Sequence, residues 1–137
     1  MRLDLIDKVV AVGPDSLTAI KNVTSAEEYL GDHFPGFPVL PGVFMLETLA
    51  QAGRKWVETL PDAPRMPLMV TKVRNLRYAA MVRPGETLKV EVKLRKRETL
   101  DGRDTFEFDG TGWNGEAVAV QGRFVLTPLD PPAVAGV

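Results

Sequence analysis

One stretch limits the folds open to this chain more than any other. Residues 43–53 read VFMLETLAQAG, with no proline, no β-branched run and nearly every side chain apolar. Extended through Val43–Leu60, as far as Pro61, it predicts one long helix. A helix that is apolar almost all round has to be enclosed by the rest of the molecule. Beyond Gly53 it turns amphipathic, with Arg54, Lys55 and Glu58 on one side and Trp56, Val57 and Leu60 on the other. The C-terminal half then changes period. Leu88, Val90, Val92 and Leu94 alternate with Lys89, Glu91, Lys93 and Arg95, as in a strand with one wet face. Asp101-Gly102 and Asn114-Gly115 fall between such runs, and both dipeptides suit the positive φ of two-residue hairpin turns. A three-stranded antiparallel meander is therefore expected over about 86–127, with another strand near 68–79. Upstream, the short apolar runs 3–12 and 17–23 flank the turn residues Gly13-Pro14-Asp15 and predict two more strands. One long helix beside a mostly antiparallel sheet is an α+β design, met most simply by a curved sheet wrapped around the helix.

A chain of 137 residues suits one domain. The expected domain covers 1–127, and PLDPPAVAGV, 128–137, is expected to be a disordered tail. Apolar residues make up 45% and charged residues 26%, which excludes disordered and low-complexity classes. With no cysteine there is no disulfide framework, zinc-thiolate site or cysteine nucleophile, and a reducing compartment fits. A net charge of −1 argues against a nucleic-acid-coating surface. The N-terminal MRLDLIDKVV carries Asp4, Asp7 and Lys8, unlike a signal peptide. The longest apolar tract, Val39 to Gly53, is broken by Pro41, Glu47 and Gln51 and is too short to span a membrane. The expectation is a soluble cytoplasmic protein. His33 is the single histidine, so a metal site would have to combine one imidazole with carboxylates. Ser16 and Ser25 lie outside any G-x-S-x-G elbow.

Chemistry-bearing residues gather at 33–51. His33 opens the stiff segment HFPGFPVLPG, whose three prolines fix φ and reduce the entropy lost on ordering. Pro41-Gly42 leads straight into the helix, where free backbone N–H groups and the dipole attract negative charge. Glu47 stands among apolar neighbours, and burial would raise its pKa and make it a proton donor near neutrality. A base, an acid and an oxyanion-type donor suit proton removal α to a carbonyl followed by loss of a β-hydroxyl. Each has a plainer reading: a loop histidine, a Glu47 that merely faces solvent or pairs with Arg54 at i+7, and a P-x-x-P ligand segment. Gln51, at i+4 from Glu47, is equally suited to bond its carboxyl or to pack.

His33-Phe34-Pro35-Gly36, Pro38, Pro41-Gly42-Val43, Leu46-Glu47 and Ala50-Gln51 together resemble the signature of the 3-hydroxyacyl-acyl-carrier-protein dehydratases. Weaker similarity covers Lys21-Asn22-Val23, Leu76-Arg77-Tyr78 and Val82-Arg83-Pro84-Gly85-Glu86. The resemblance implies the hot-dog fold and a lyase that needs no cofactor and no metal. On the matching positions, His33 would take the α-proton or orient that step. Glu47 would protonate the leaving hydroxyl, or hold the water in the reverse hydration. The Gly42 N–H, beside Val43, would bind the thioester oxygen, with Pro41 and Gln51 in support. The implied partners are an acyl carrier protein and a second copy of the chain, since the family's histidine and acid come from different subunits of a dimer; some members assemble as three dimers. Neither nucleic acid nor membrane insertion is implied.

Two other functions remain open at this point, a hot-dog thioesterase and a non-catalytic acyl or carrier-protein binding module. The departures from the family pattern are Asp32, Phe37, Lys72 and above all Arg54-Lys55, where the central helix is otherwise apolar. These two cations are expected either to turn outward or to pair, with Glu58 the nearest partner of Arg54 at i+4. Lys89, Lys93, Arg95, Lys96 and Arg97 form a basic stripe, read as a solvated strand face; with Arg54, Lys55, Lys72 and Arg74 they are the candidates for steering an acidic carrier protein.

Overall fold

The structure, a computed structural model, describes residues 3–24 and 39–129. Among these residues the chain forms strands β1 (Lys8–Val12) and β2 (Ser16–Asn22), helix α1 (Gly42–Glu58), then β3 (Leu68–Tyr78), β4 (Thr87–Leu100), β5 (Arg103–Asn114) and β6 (Ala117–Pro128). The six strands make one sheet in the order β1-β2-β4-β5-β6-β3, and every neighbouring pair is antiparallel. The helix touches β2, β3, β4, β5 and β6, so the sheet curves around it in the hot-dog arrangement.

Side-chain alternation assigns the two faces of the sheet. Leu88, Val90 and Val92 of β4, Phe106 and Phe108 of β5, and Val120, Phe124 and Leu126 of β6 point at the helix and are buried. They meet Met45, Leu49, Ala52, Trp56 and Val57 of α1 in one continuous core. Trp56 sets its ring edge-on to Phe108, with centroids 5.9 Å apart, and its indole N–H donates to Gly13 O at 3.2 Å. A single side chain thus ties the β1–β2 turn to the middle of the core. At the far end, Arg97 of β4 bonds both carboxyl oxygens of Asp104 and reaches Asp62 in the loop after the helix, while lying over the Phe106 ring. These two carboxylates raise the Arg97 pKa further above its ordinary value, and Arg97 in turn lowers that of Asp62.

Several expected boundaries shift for local reasons. The first strand begins at Lys8 rather than residue 3, because the backbone at residues 3 and 5 bonds to the Gln51 side chain instead of a neighbouring strand. The helix stops at Glu58, where Thr59 turns both its N–H and its hydroxyl back to Trp56 O. The β4–β5 turn is Asp101-Gly102 as expected, with both residues at positive φ. The β5–β6 turn lies one residue later than Asn114-Gly115: Asn114 still pairs with Ala117, and Gly115-Glu116 make the loop with only Gly115 at positive φ. The last strand runs one residue past the expected limit at 127: Pro128 faces Leu68, and the Leu129 N–H donates to Pro67 O. Residues 130–137, the remainder of the expected tail, lie outside the described residues.

The expectation of an enclosed helix needs correction. The sheet covers one side only. Positions 43, 47, 51, 54 and 58 recur at helical spacing and form a stripe that the sheet leaves open, with Val43 65% exposed. None of the described helices is long and apolar enough to cross a membrane.

Candidate functional site

Pro41 is the N-cap of α1, in extended backbone conformation, and its carbonyl accepts from the N–H groups of Phe44 and Met45. Among the described residues no side chain caps this end. The N–H groups of Gly42 and Val43 have no acceptor among the described residues. Proline supplies a fixed φ at the helix start and the next two donors are left over, as at any uncapped N-terminus. Gly42 lies under the Tyr78 ring, and a Cβ there would come within 3.1 Å of the ring carbons. The site therefore accepts a glycine at 42 for want of room, while Tyr78, whose partial burial pushes its hydroxyl pKa up, forms one wall. The approach to Pro41 is held by Leu40, whose N–H donates to Val82 O at 2.7 Å.

Glu47 occupies the open stripe, one turn beyond Val43. The expected burial is not observed: its side chain is 35% exposed and forms an ion pair with Arg54, Nη1 to Oε1 at 2.6 Å. The geometric reason is that seven residues advance a helix by almost two full turns, so Glu47 and Arg54 share a face. Arg54 pairs here, and with Leu68 O through Nε at 2.8 Å, instead of with Glu58. Gln51 stands between them. Its Oε1 accepts from Leu5 N at 2.8 Å and its Nε2 donates to Leu3 O at 2.9 Å, while its contact to Glu47 Oε1 is long, at 3.5 Å. Together with Leu3 and Asp4 these three side chains line a pocket of about 300 Å3. His33, the expected base, lies outside the described residues.

A concavity of about 490 Å3 borders Arg54, Glu58 and residues 63–69, and two more, of about 550 and 530 Å3, lie on the sheet face opposite the helix, across β3, β4, β5 and β6. The two on the sheet face are polar grooves next to the bulges of β3 and hold no acid–base pair of the expected kind. Among the described residues no group of three His, Cys, Asp or Glu side chains is placed to hold a metal ion. One contributor to the site escaped sequence reading. Tyr78 was visible only as part of a motif, since its place over Gly42 depends on the β3–β6 register. The Arg54 bond is the plainer alternative that i+7 spacing offered for Glu47.

The model of the FabA-like domain matches residues 1–123. The chain belongs to the FabA-like domain family. Its FabA-like domain is 38% identical over 95 residues to the 3-hydroxyacyl-[acyl-carrier-protein] dehydratase FabZ of Solibacter usitatus, covering 69% of this chain and 59% of that protein. It is 39% identical over 93 residues to the FabZ of Lactococcus lactis subsp. cremoris, covering 68% and 65%. The matched segments thus span under two thirds of the length of these curated relatives. Among solved structures, the dehydratase heterocomplex ApeI:P of Xenorhabdus doucetiae superimposes with a TM-score of 0.67 at 21% identity, covering 93% of this chain and 84% of that one. Thioesterase superfamily member 2 of Mus musculus gives 0.64 at 14% identity, covering 89% and 81%. At such identities both show a shared hot-dog fold and nothing about activity.

Proposed function

We propose that this FabA-like domain is a dehydratase converting a 3-hydroxyacyl thioester on an acyl carrier protein to the trans-2-enoyl thioester. One observation carries the reading. The N–H groups of Gly42 and Val43 at the start of α1 have no acceptor among the described residues, and the Glu47 carboxyl lies on the uncovered stripe of the same helix, about 7.5 Å further along the axis. His33 removes the proton α to the thioester carbonyl. The electron pair left behind closes the α,β double bond as the β-carbon–oxygen bond breaks. Glu47 gives the departing hydroxyl a proton, and water leaves. Enolate-like charge collects on the thioester oxygen, where the N–H groups of Gly42 and Val43 meet it. The scheme draws on no metal or organic cofactor. The names of the FabZ relatives support it, as does the motif from His33 to Gln51.

The working form is a homodimer, with the histidine and the acid of one site drawn from different subunits. In support, β3 is an edge strand among the described residues and leaves Met69, Val73 and Tyr78 exposed beside the open helix stripe. Such an edge invites pairing. Lys72 and Arg74, on the same strand, have no ion-pair partner among the described residues and suit an acidic carrier protein. Most of the rest of the basic stripe is less free: Arg95, Lys96 and Arg97 each pair with a carboxylate. The same reading puts the reaction in the cytoplasm, with which a cysteine-free chain is compatible.

The test is incubation with 3-hydroxyacyl carrier-protein thioesters of several chain lengths, followed by mass spectrometry. The expected product is the carrier thioester lighter by one water. Glu47→Gln and His33→Ala should each slow its formation by about 10²–10⁴-fold. Release of free carrier thiol would make the chain a thioesterase, and unaltered substrate would make it a binding module.

A further inference from the structure

The carboxyl of Glu47 is held asymmetrically. Both of its bonds fall on Oε1, the strong one from Arg54 Nη1 at 2.6 Å and the long one from Gln51 Nε2 at 3.5 Å. Oε2 takes none from the described residues. Gln51 cannot be the principal support, because its amide is already committed to Leu3 and Leu5. Arg54 is itself anchored at a second point, since its Nε donates to the carbonyl of Leu68, the first residue of β3. Helix and sheet are thus bridged by one guanidinium, whose other arm ends on Glu47. A planar guanidinium fork is suited to this, since fixing one nitrogen fixes the direction of the others. Its side chain is 28% exposed, and this half-buried setting screens the pair less than open solvent would.

We propose that Arg54 is the positioning residue for the Glu47 carboxyl, taking Oε1 so that Oε2 alone is presented to the substrate's hydroxyl. The inference rests on the acid role assigned to Glu47 above. Without Arg54, Glu47 is a three-torsion side chain on an open helix face, free to sample rotamers that turn either oxygen, or neither, toward the reacting carbon. With it, the oxygen that meets the leaving hydroxyl is defined and its distance from the Gly42 N–H is set by the helix. A guanidinium at this place does not itself supply the proton, being effectively always charged. Its contribution is geometric, and a misplacement of the acid by about 1 Å is enough to cost on the order of 10²-fold in rate. Lys55, one residue on, lines the same pocket but is about 100° round the helix from Arg54 and makes no ion pair with Glu47.

The experiment compares wild type, Arg54→Leu, Arg54→Lys, Glu47→Gln and the double variant Arg54→Leu/Glu47→Gln with 3-hydroxyoctanoyl acyl carrier protein as substrate. Arg54→Leu should lower kcat by about 10–100-fold and leave KM near its wild-type value. Arg54→Lys should recover part of that loss. In the Glu47→Gln background, Arg54→Leu should bring no further loss, because the group it positions is gone. Thermal unfolding of each protein controls for folding; if Arg54→Leu does not fold, Arg54→Gln takes its place in the same cycle. A kcat within about twofold of wild type, a loss carried by KM, or an equal loss in both Glu47 backgrounds overturns the positioning role. The two readings fail differently. Full turnover in Glu47→Gln removes the acid assignment and the Arg54 role with it, whereas a crippled Glu47→Gln beside a normal Arg54→Leu removes only the latter.

Discussion

Gln51 uses both ends of its amide on the N-terminal segment, accepting from Leu5 N and donating to Leu3 O. Leu5 is thereby pressed into the interior at 1% exposure, ahead of the first strand. The residue therefore does more for the fold than for Glu47, to which its contact is 3.5 Å. Replacing Gln51 by alanine removes the two short hydrogen bonds to the N-terminal segment, together with the long one to Glu47, and leaves the backbone donor of Leu5 without its partner. The expected cost is about 1–3 kcal/mol, with faster amide exchange at Leu5 than in wild type. Unchanged protection at Leu5 would mean that the segment is held by its apolar side chains alone. From the sequence, Gln51 was equally a partner of Glu47 or a packing residue. Spacing of i+4 shows what is within reach on one helix, but a bond across 46 residues depends on where the chain returns. Glu47 was misjudged for a related reason: apolar neighbours in sequence occupy other faces of the helix, so they do not bury it.

At the level of elements, what was local was legible. The alternation of Leu88, Val90 and Val92 with lysine and glutamate is a property of the strand itself, and these three positions are fully buried. The Asp101-Gly102 turn follows from its own backbone preferences. The one-residue slip at Gly115-Glu116 coincides with the bulge between Gly112 and Trp113, where β5 changes register against β6. Gly112 shows why a residue there has to be small. A Cβ would stand 2.8 Å from Val120 Cγ1 and 3.0 Å from Leu88 Cδ1, both on side chains with no exposure. Valine is stiff about χ1 and neither neighbour has free volume to enter. Gly112→Ala should lose about 1–3 kcal/mol of stability through overpacking, seen as a lower denaturant midpoint with an unchanged m-value. Stability equal to wild type would show that β5 and β6 can part at the bulge without cost.

At the scale of the whole molecule, the central helix was expected to be enclosed and one chain encloses only half of it. Val43 is exposed, Phe44 and Leu46 are half-buried, and the nearby edge strand shows Met69 and Val73 to solvent. The apolar pattern in the sequence was read as a demand for full enclosure, and a single sequence does not say how much of that cover its own sheet supplies. A second copy placed along β3 would meet that demand. Subunit complementation tests the arrangement directly. His33→Ala and Glu47→Gln are each expected to be nearly inactive alone. Co-expressed in equal amounts, they assort into two kinds of homodimer and a mixed dimer. If each site takes its histidine from one chain and its acid from the other, the mixed dimer holds one site with both defects and one with neither. Random assortment then restores about a quarter of wild-type activity per chain, since half the dimers are mixed and half of their sites are intact. Were each site built within one chain, every site in every dimer would carry one defect and mixing would restore nothing. Light scattering on the wild-type protein fixes the assembly state, and a monomer at micromolar concentration with full turnover would remove the shared site whatever the mixing result.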